Sequence, residues 1–222
     1  MSEYSRRRTP PGYPSGQGLY DPANEHDSCG VGFLANITGE RTHEVVERGC
    51  RVLQNLLHRG AIGGDKATSD GAGILLQLPD EFFRKQKLGF ELPEVGGYAV
   101  GFFFLPQKRE ERDHCVGIVE QVAAEEGFRV LGWRDVPADT GVIRGKALDE
   151  MPVMRQLFLA GALRGDDLER KLYIARRVME NRCWATDAGQ ALYVCSLSSR
   201  TIVYKGLLMG AQVPQFYLDL QD

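Results

Sequence analysis

Asp27-Ser28-Cys29-Gly30-Val31-Gly32-Phe33-Leu34-Ala35-Asn36 is the stretch where the chain changes character. Before it, Arg6-Arg7-Arg8-Thr9-Pro10-Pro11-Gly12 and Pro14-Ser15-Gly16-Gln17-Gly18 offer almost nothing to bury. Such a composition cannot offset its ordering entropy, so residues 1–28 read as a flexible leader. After it, Val31, Phe33 and Ala35 alternate with Gly32, Leu34 and Asn36, which predicts a strand over 29–36 buried on at least one face. Cys29 sits on the boundary. Its thiol has two readings: an ordinary core cysteine, or a nucleophile that becomes the first residue of a shorter, mature chain.

Outward from that boundary the elements are mixed. Asn36-Ile37-Thr38-Gly39-Glu40 is turn chemistry. Thr42 suits an N-cap with Glu44 in the first turn, and Val46, Cys50, Leu53 and Leu57 form a helical face that Gly60 can end. Gly63-Gly64-Asp65 and Ser69-Asp70-Gly71 mark a loop, 72–78 a second strand, and a short helix begins at Asp80. The aromatic run 98–105 predicts a third strand, 107–127 a helix with Cys115, Ile118, Val119 and Val122 inward, and 128–136 and 152–160 further strands. A charged helix over 166–183 buries Leu168, Leu172, Ala175 and Met179, and 192–198 with 201–205 reads as a hairpin around Ser198-Ser199-Arg200. There is no strict βαβ rhythm and no internal repeat. The pattern predicts an α+β layered fold. Leu220-Gln221-Asp222 provides no finishing element, so the domain is expected to be truncated there.

Bulk properties exclude several classes of function. In 222 residues, 27 Lys and Arg face 30 Asp and Glu, a net charge of −3, so bulk electrostatics do not draw the chain to nucleic acid or anionic membrane. Arg6-Arg7-Arg8 and Arg176-Arg177 are too short for such a surface. The longest apolar runs, such as 100–105, cannot span a bilayer, and the N-terminal arginines precede no apolar signal region. Five cysteines, at 29, 50, 115, 183 and 195, are odd in number, widely spaced and free of any C-x-x-C pair. That argues against a disulfide framework or structural zinc and for a reducing, cytoplasmic compartment.

The nucleophile reading of Cys29 has a definite chemistry. An N-terminal thiol can use its own α-amine as general base, because that amine titrates at about 7.7–8.0, near working pH. The thiol forms a covalent thioester, which splits amide hydrolysis into two steps. None of this works while Cys29 is inside a peptide bond, so the Ser28–Cys29 bond must first break, by attack of the thiol on the Ser28 carbonyl and hydrolysis. Small neighbours, Ser28, Gly30 and Gly32, leave room for that attack and for substrate.

Further segments add to this reading. Cys29-Gly30-Val31-Gly32-Phe33, His58-Arg59-Gly60-Ala61 and Asp70-Gly71-Ala72-Gly73-Ile74 resemble, in order and spacing, the start of a class II, N-terminal nucleophile glutamine amidotransferase. Pro152-Val153-Met154-Arg155-Gln156-Leu157-Phe158 and Leu197-Ser198-Ser199-Arg200-Thr201-Ile202-Val203-Tyr204-Lys205-Gly206 narrow the resemblance to the amidotransferase domain of the glutamate synthase large-subunit family. The likeness runs over 29–222, with 1–28 standing where that family has a removable propeptide. It implies a four-layer αββα sandwich of the N-terminal nucleophile hydrolase type. Cys29 would be the nucleophile and its α-amine the base; His58, Arg59 and Gly60 would form the helix end and loop beside it. Asp70 and the small residues 71–73 would open the next strand and let the sheets approach closely. Cys50, Cys115, Cys183 and Cys195 read as core or surface thiols.

The same resemblance implies L-glutamine as substrate and ammonia passed to a downstream synthase domain of the same polypeptide, where 2-oxoglutarate is aminated and reduced. FMN and an iron–sulfur cluster are implied for the full large subunit, with a small FAD/NADPH subunit or ferredoxin as electron source; no cofactor or metal is expected within this chain. The arginine and acidic residue that hold glutamine in the family, and its oxyanion-hole Asn-Gly, have no match before Asp222. Losing an oxyanion donor alone costs about 100–1,000-fold, so the 222-residue piece by itself is expected to be inactive. Other class II amidotransferases, making purines, amino sugars or asparagine, and a non-catalytic module keeping the fold, are the competing readings. The segment 197–206 and the insertion between 107 and 183 speak against the former.

Overall fold

The computed structural model of the chain describes residues 17–18, 29–57, 69 and 71–221. The rest of the leader, with Ser28, and also His58, Arg59, Gly60, the 63–65 loop and Asp70 lie outside the described residues.

From Asn36 the local chemistry is as expected. The Asn36 side chain accepts from the Thr38 N–H at 3.2 Å, and Gly39 takes φ +74°, so the chain reverses into the first helix. That helix, α1, spans His43–Asn55; Thr42 occupies the cap position but makes no side-chain capping bond. Strand β1 (Ala72–Gln77), helix α2 (Asp80–Lys85), strand β2 (Tyr98–Leu105), helix α3 (Arg109–Glu125) and strand β3 (Arg129–Asp135) follow. A short helix α4 (Lys146–Asp149), strand β4 (Val153–Ala160), the long helix α5 (Gly165–Trp184), strands β5 (Tyr193–Ser198) and β6 (Thr201–Gly206) and a short helix α6 (Val213–Phe216) complete the order. The short α4 and α6 were not foreseen, since four residues carry no periodicity to read.

Four strands form one antiparallel sheet in the order β3-β4-β2-β5, with Tyr98 opposite Ala160 and Leu105 opposite Val153. The second sheet has two strands, β1 and β6, antiparallel, with Ala72 opposite Gly206 and Gln77 opposite Thr201. The expected hairpin of β5 and β6 is therefore corrected. The two strands are consecutive, but β5 pairs with β2 and β6 crosses to pair with β1. The physical cause is the tight connection at Ser198–Arg200. Ser198 Oγ accepts from the N–H groups of Arg200 (2.9 Å) and Thr201 (3.2 Å) and donates to Glu169 (2.9 Å). The Ser199 N–H and hydroxyl also donate to Glu169, at 2.8 and 2.6 Å. Anchored on α5 in this way, the turn swings the chain from one sheet to the other.

Alternation on the central strands builds two cores. On one face of the four-stranded sheet, Phe103, Leu105, Leu157 and Leu159 pack under α3 (Cys115, Val119, Val122) and α5 (Leu168, Leu172, Ala175, Met179). On the other face, Val100, Phe102, Met154 and Phe158 meet Ile202 and Tyr204 of β6, with Cys50 of α1 in the same core. The rings of Phe102 and Tyr204 are 5.1 Å apart in an edge contact. Helix α1 covers the outer side of β1 so closely that a Cβ on Gly49 would lie 2.9 Å from Ile74. The layers are thus helices, sheet, sheet, helix: an α+β chain with the αββα order the resemblance implies.

A buried polar network ties the layers together. Arg134 of β3 donates twice to Asp219, at 2.8 and 2.7 Å, and once to Gln156 of β4 at 2.9 Å. Tyr204 of β6 donates to Asp219 at 2.9 Å and accepts from Gln156 at 3.0 Å. Every polar side chain there has a partner, as burial demands. Burial and the Asp219 carboxylate together raise the Tyr204 phenol well above its ordinary range.

Candidate active site

Cys29 is the one cysteine of the five that is exposed; Cys50, Cys115, Cys183 and Cys195 are buried, as expected for core thiols. Burial pushes the Cys195 and Cys183 thiols up to about 12 and raises Cys50 and Cys115, so none of the four is poised as a thiolate at neutral pH. Accessibility singles out Cys29.

The strand expected at 29–36 is not formed. Residues 29–36 have no regular structure, Val31 and Phe33 are 87% and 92% exposed, and Ile37 is fully exposed. The reason is physical. An alternating apolar segment gains a strand's stability only by pairing along an edge and burying a face, and among the described residues no ladder reaches it. At Gly32 it comes close to the scaffold, where a Cβ would lie 2.6 Å from Val52 of α1. The far edge of β1 is likewise unpaired among the described residues, and Leu75 there is 63% exposed.

The loop entering β1 is anchored on both sides of Asp70. Ser69 Oγ donates to the Leu208 carbonyl at 2.8 Å and accepts from the Gly71 N–H at 3.1 Å. Gly71 has φ +115°, a conformation that a side chain rarely adopts, and a Cβ on it would lie 3.1 Å from the Gly206 carbonyl. A Cβ on Gly73 would meet Lys205 Cβ at 2.5 Å and the Tyr204 carbonyl at 2.7 Å. The small residues expected to bring the two sheets together instead bring β1 against its own ladder partner, β6.

A cavity of about 200 Å³ opens at that end of the two-stranded sheet, beside Gly206. Phe104, Ile143, Met154, Leu208 and Tyr217 make it apolar and Lys205 stands in its wall; Cys29 does not line it. The exposed thiol and this cavity are therefore separate. The thiols do not suit an iron–sulfur cluster, which takes three or four cysteine ligands. Cys50 and Cys195 lie in the core between the sheets and Cys115 with Cys183 under the helices, and no three potential metal ligands converge among the described residues.

Sequence reasoning marked 197–206 as distinctive but missed its anchor, Glu169. A carboxylate in a charged helix reads as solvated surface, and only the fold brings it to Ser198 and Ser199.

Residues 29–222 match the family described as glutamine amidotransferases class-II. Among curated proteins, the chain is 46% identical over 212 residues to the glutamate synthase [NADPH] large chain of Bacillus subtilis, covering 94% of this chain and 14% of that one. It is 40% identical over 223 residues to glutamate synthase [NADH] of Saccharomyces cerevisiae, covering 94% and 10%. It is 38% identical over 208 residues to the ferredoxin-dependent glutamate synthase, chloroplastic, of Oryza sativa, covering 92% and 13%. The chain thus spans about a seventh or less of the length of these relatives.

Proposed function

The chain belongs to the class-II glutamine amidotransferases, and on that premise we propose that Cys29 is its N-terminal nucleophile, serving a glutamate synthase. The observation that carries the proposal is a coincidence of boundaries. The family match begins at residue 29, the one exposed cysteine stands there, and residues 1–28 fall outside the match.

Maturation comes first. Cys29 Sγ attacks the Ser28 carbonyl carbon, the C–N bond breaks, and the amine nitrogen takes the thiol proton. Water then hydrolyses the ester-like link between Ser28 and the sulfur. The product is a chain with a free α-amine and a free thiol on one residue. In turnover, that amine accepts the thiol proton while Sγ attacks the side-chain amide carbon of glutamine. The proton passes to the leaving nitrogen, ammonia departs, and a glutamyl thioester remains. Water, activated by the same amine, releases glutamate and restores the thiol.

In the whole protein, ammonia would serve reductive amination of 2-oxoglutarate in a downstream domain holding FMN and an iron–sulfur cluster. The relatives' names, with NADPH, NADH and ferredoxin, point to electron donors of those kinds. All five thiols are free, which supports a reducing, cytoplasmic setting, and no helix among the described residues is long and apolar enough to cross a membrane. The 222-residue chain alone would not turn over glutamine, because among the described residues no strand or side chain closes around the segment bearing Cys29. Glutamine hydrolysis by full-length protein and by residues 1–222, each with and without Cys29→Ala, tests both statements. Activity only in the full-length protein with Cys29 intact is expected; activity that survives Cys29→Ala contradicts the assignment.

A further inference from the structure

We propose that the apolar cavity beside Gly206 is a socket for the polypeptide that follows residue 222 in the full-length protein, which seats one aromatic or branched aliphatic side chain there. The proposal rests on the family membership and is independent of the role of Cys29. The wall is drawn from distant parts of the chain: Phe104 of β2, Ile143 and Ala147 at the start of α4, Met154 of β4, and Leu208 and Tyr217 after β6. The cavity measures about 200 Å³. An apolar hollow of about 150 Å³ already takes up benzene, so a single benzyl or isobutyl group fits this one.

The rim is apolar as well. Leu207 lines the cavity and is 48% exposed. Tyr193, with its ring 6.0 Å from that of Phe104, is 41% exposed. Apolar side chains grouped in water at the mouth of an apolar hollow mark a surface that another element covers. The cation in the wall is already engaged. The Lys205 ammonium lies 4.2 Å from the centre of the Tyr193 ring and donates to the Tyr193 hydroxyl. Recognition is therefore by apolar contact rather than by charge.

Length and reach decide the occupant. The matched stretch is 14% of the Bacillus subtilis relative and 10% of the Saccharomyces cerevisiae one, so most of such a full-length polypeptide lies outside it. Tyr217 stands in the cavity wall, and Asp222 follows it by five residues. Those residues span at most about 18 Å, so the continuing chain starts close to the mouth. A segment tethered over so short a distance meets the cavity at an effective concentration of about millimolar, without any free partner being present.

Full-length protein carrying p-benzoylphenylalanine in place of Leu207 is irradiated, run on a denaturing gel and mapped by peptide mass spectrometry. The expected product keeps the mass of one polypeptide and joins the peptide containing position 207 to one from beyond residue 222. Cross-links to a second polypeptide, cross-links only within residues 1–222, or no cross-link at all overturn the proposal. A second readout is the alkylation rate of Leu207→Cys in the native full-length protein, followed at that peptide, against Tyr173→Cys on the outer face of α5, where Tyr173 is 64% exposed. Position 207 should react about tenfold or more slowly, since a covered site reacts only when its cover opens. Equal rates overturn the proposal.

Discussion

Residues 98–206 and residues 29–37 are built from the same kind of sequence and end in opposite states. In the first, alternating strands are buried on both faces: Val100, Phe102, Phe103 and Leu105 of β2 are all inaccessible, and each core has a helix or a second sheet against it. In the second, Val31, Phe33 and Ile37 alternate just as well and face solvent. Alternation sets which side of a strand is apolar; it does not supply the neighbour that makes the strand form. Among the described residues the strands of the scaffold pack into two cores, whereas the proposed nucleophile sits on a segment that no ladder holds.

Mutations separate the two regions by the size and kind of their effect. Cys29→Ala should lower glutamine hydrolysis by full-length protein about 10,000-fold or more. It should leave urea unfolding of the domain within about 0.5 kcal/mol of wild type, because the residue is exposed. Near-normal activity would remove Cys29 from the chemistry. Inside the scaffold the costs turn to stability. Asp219→Ala strands Arg134 and Tyr204 among buried groups and should cost about 3–5 kcal/mol in a denaturant titration. A loss below about 1 kcal/mol would show that the network is ornamental.

A smaller effect depends on pH. Burial pushes the Asp80 carboxyl up, but hydrogen bonds from Arg84 (2.8 Å) and Tyr98 (2.7 Å) and the nearby arginine charges outweigh it, so the pKa falls below its ordinary value. A group depressed in the folded state stabilises above its unfolded pKa, about 3.9, and loses that contribution as pH falls through the folded one. Asp80→Asn should therefore cost about 2 kcal/mol at pH 7, with the gap to wild type closing on acidification. A gap that does not change with pH would contradict the charge assignment. Smallest is Val31→Ser in the 222-residue chain, expected to shift stability by less than about 0.5 kcal/mol because Val31 is 87% exposed. A loss near 2 kcal/mol there would mean that the segment is packed after all.

Much of this was readable from residue pattern. The strand at 98–105 and the stripe Leu168, Leu172, Ala175 and Met179 on α5 depend only on local periodicity, and the structure has them where the pattern puts them. The β5–β6 pairing was misread because a two-strand pattern with a tight turn looks the same whether the strands pair or part. The choice was made by Glu169, far away in sequence. Cys29 was found from a composition boundary and a family resemblance; its exposure came from the structure.

The most direct test of the central claim is the N-terminus of the mature protein from its natural source, by intact mass and terminal sequencing. The expected chain begins at Cys29 with a free α-amine and residues 1–28 gone. A fully active protein whose chain still begins upstream of Cys29 would contradict it.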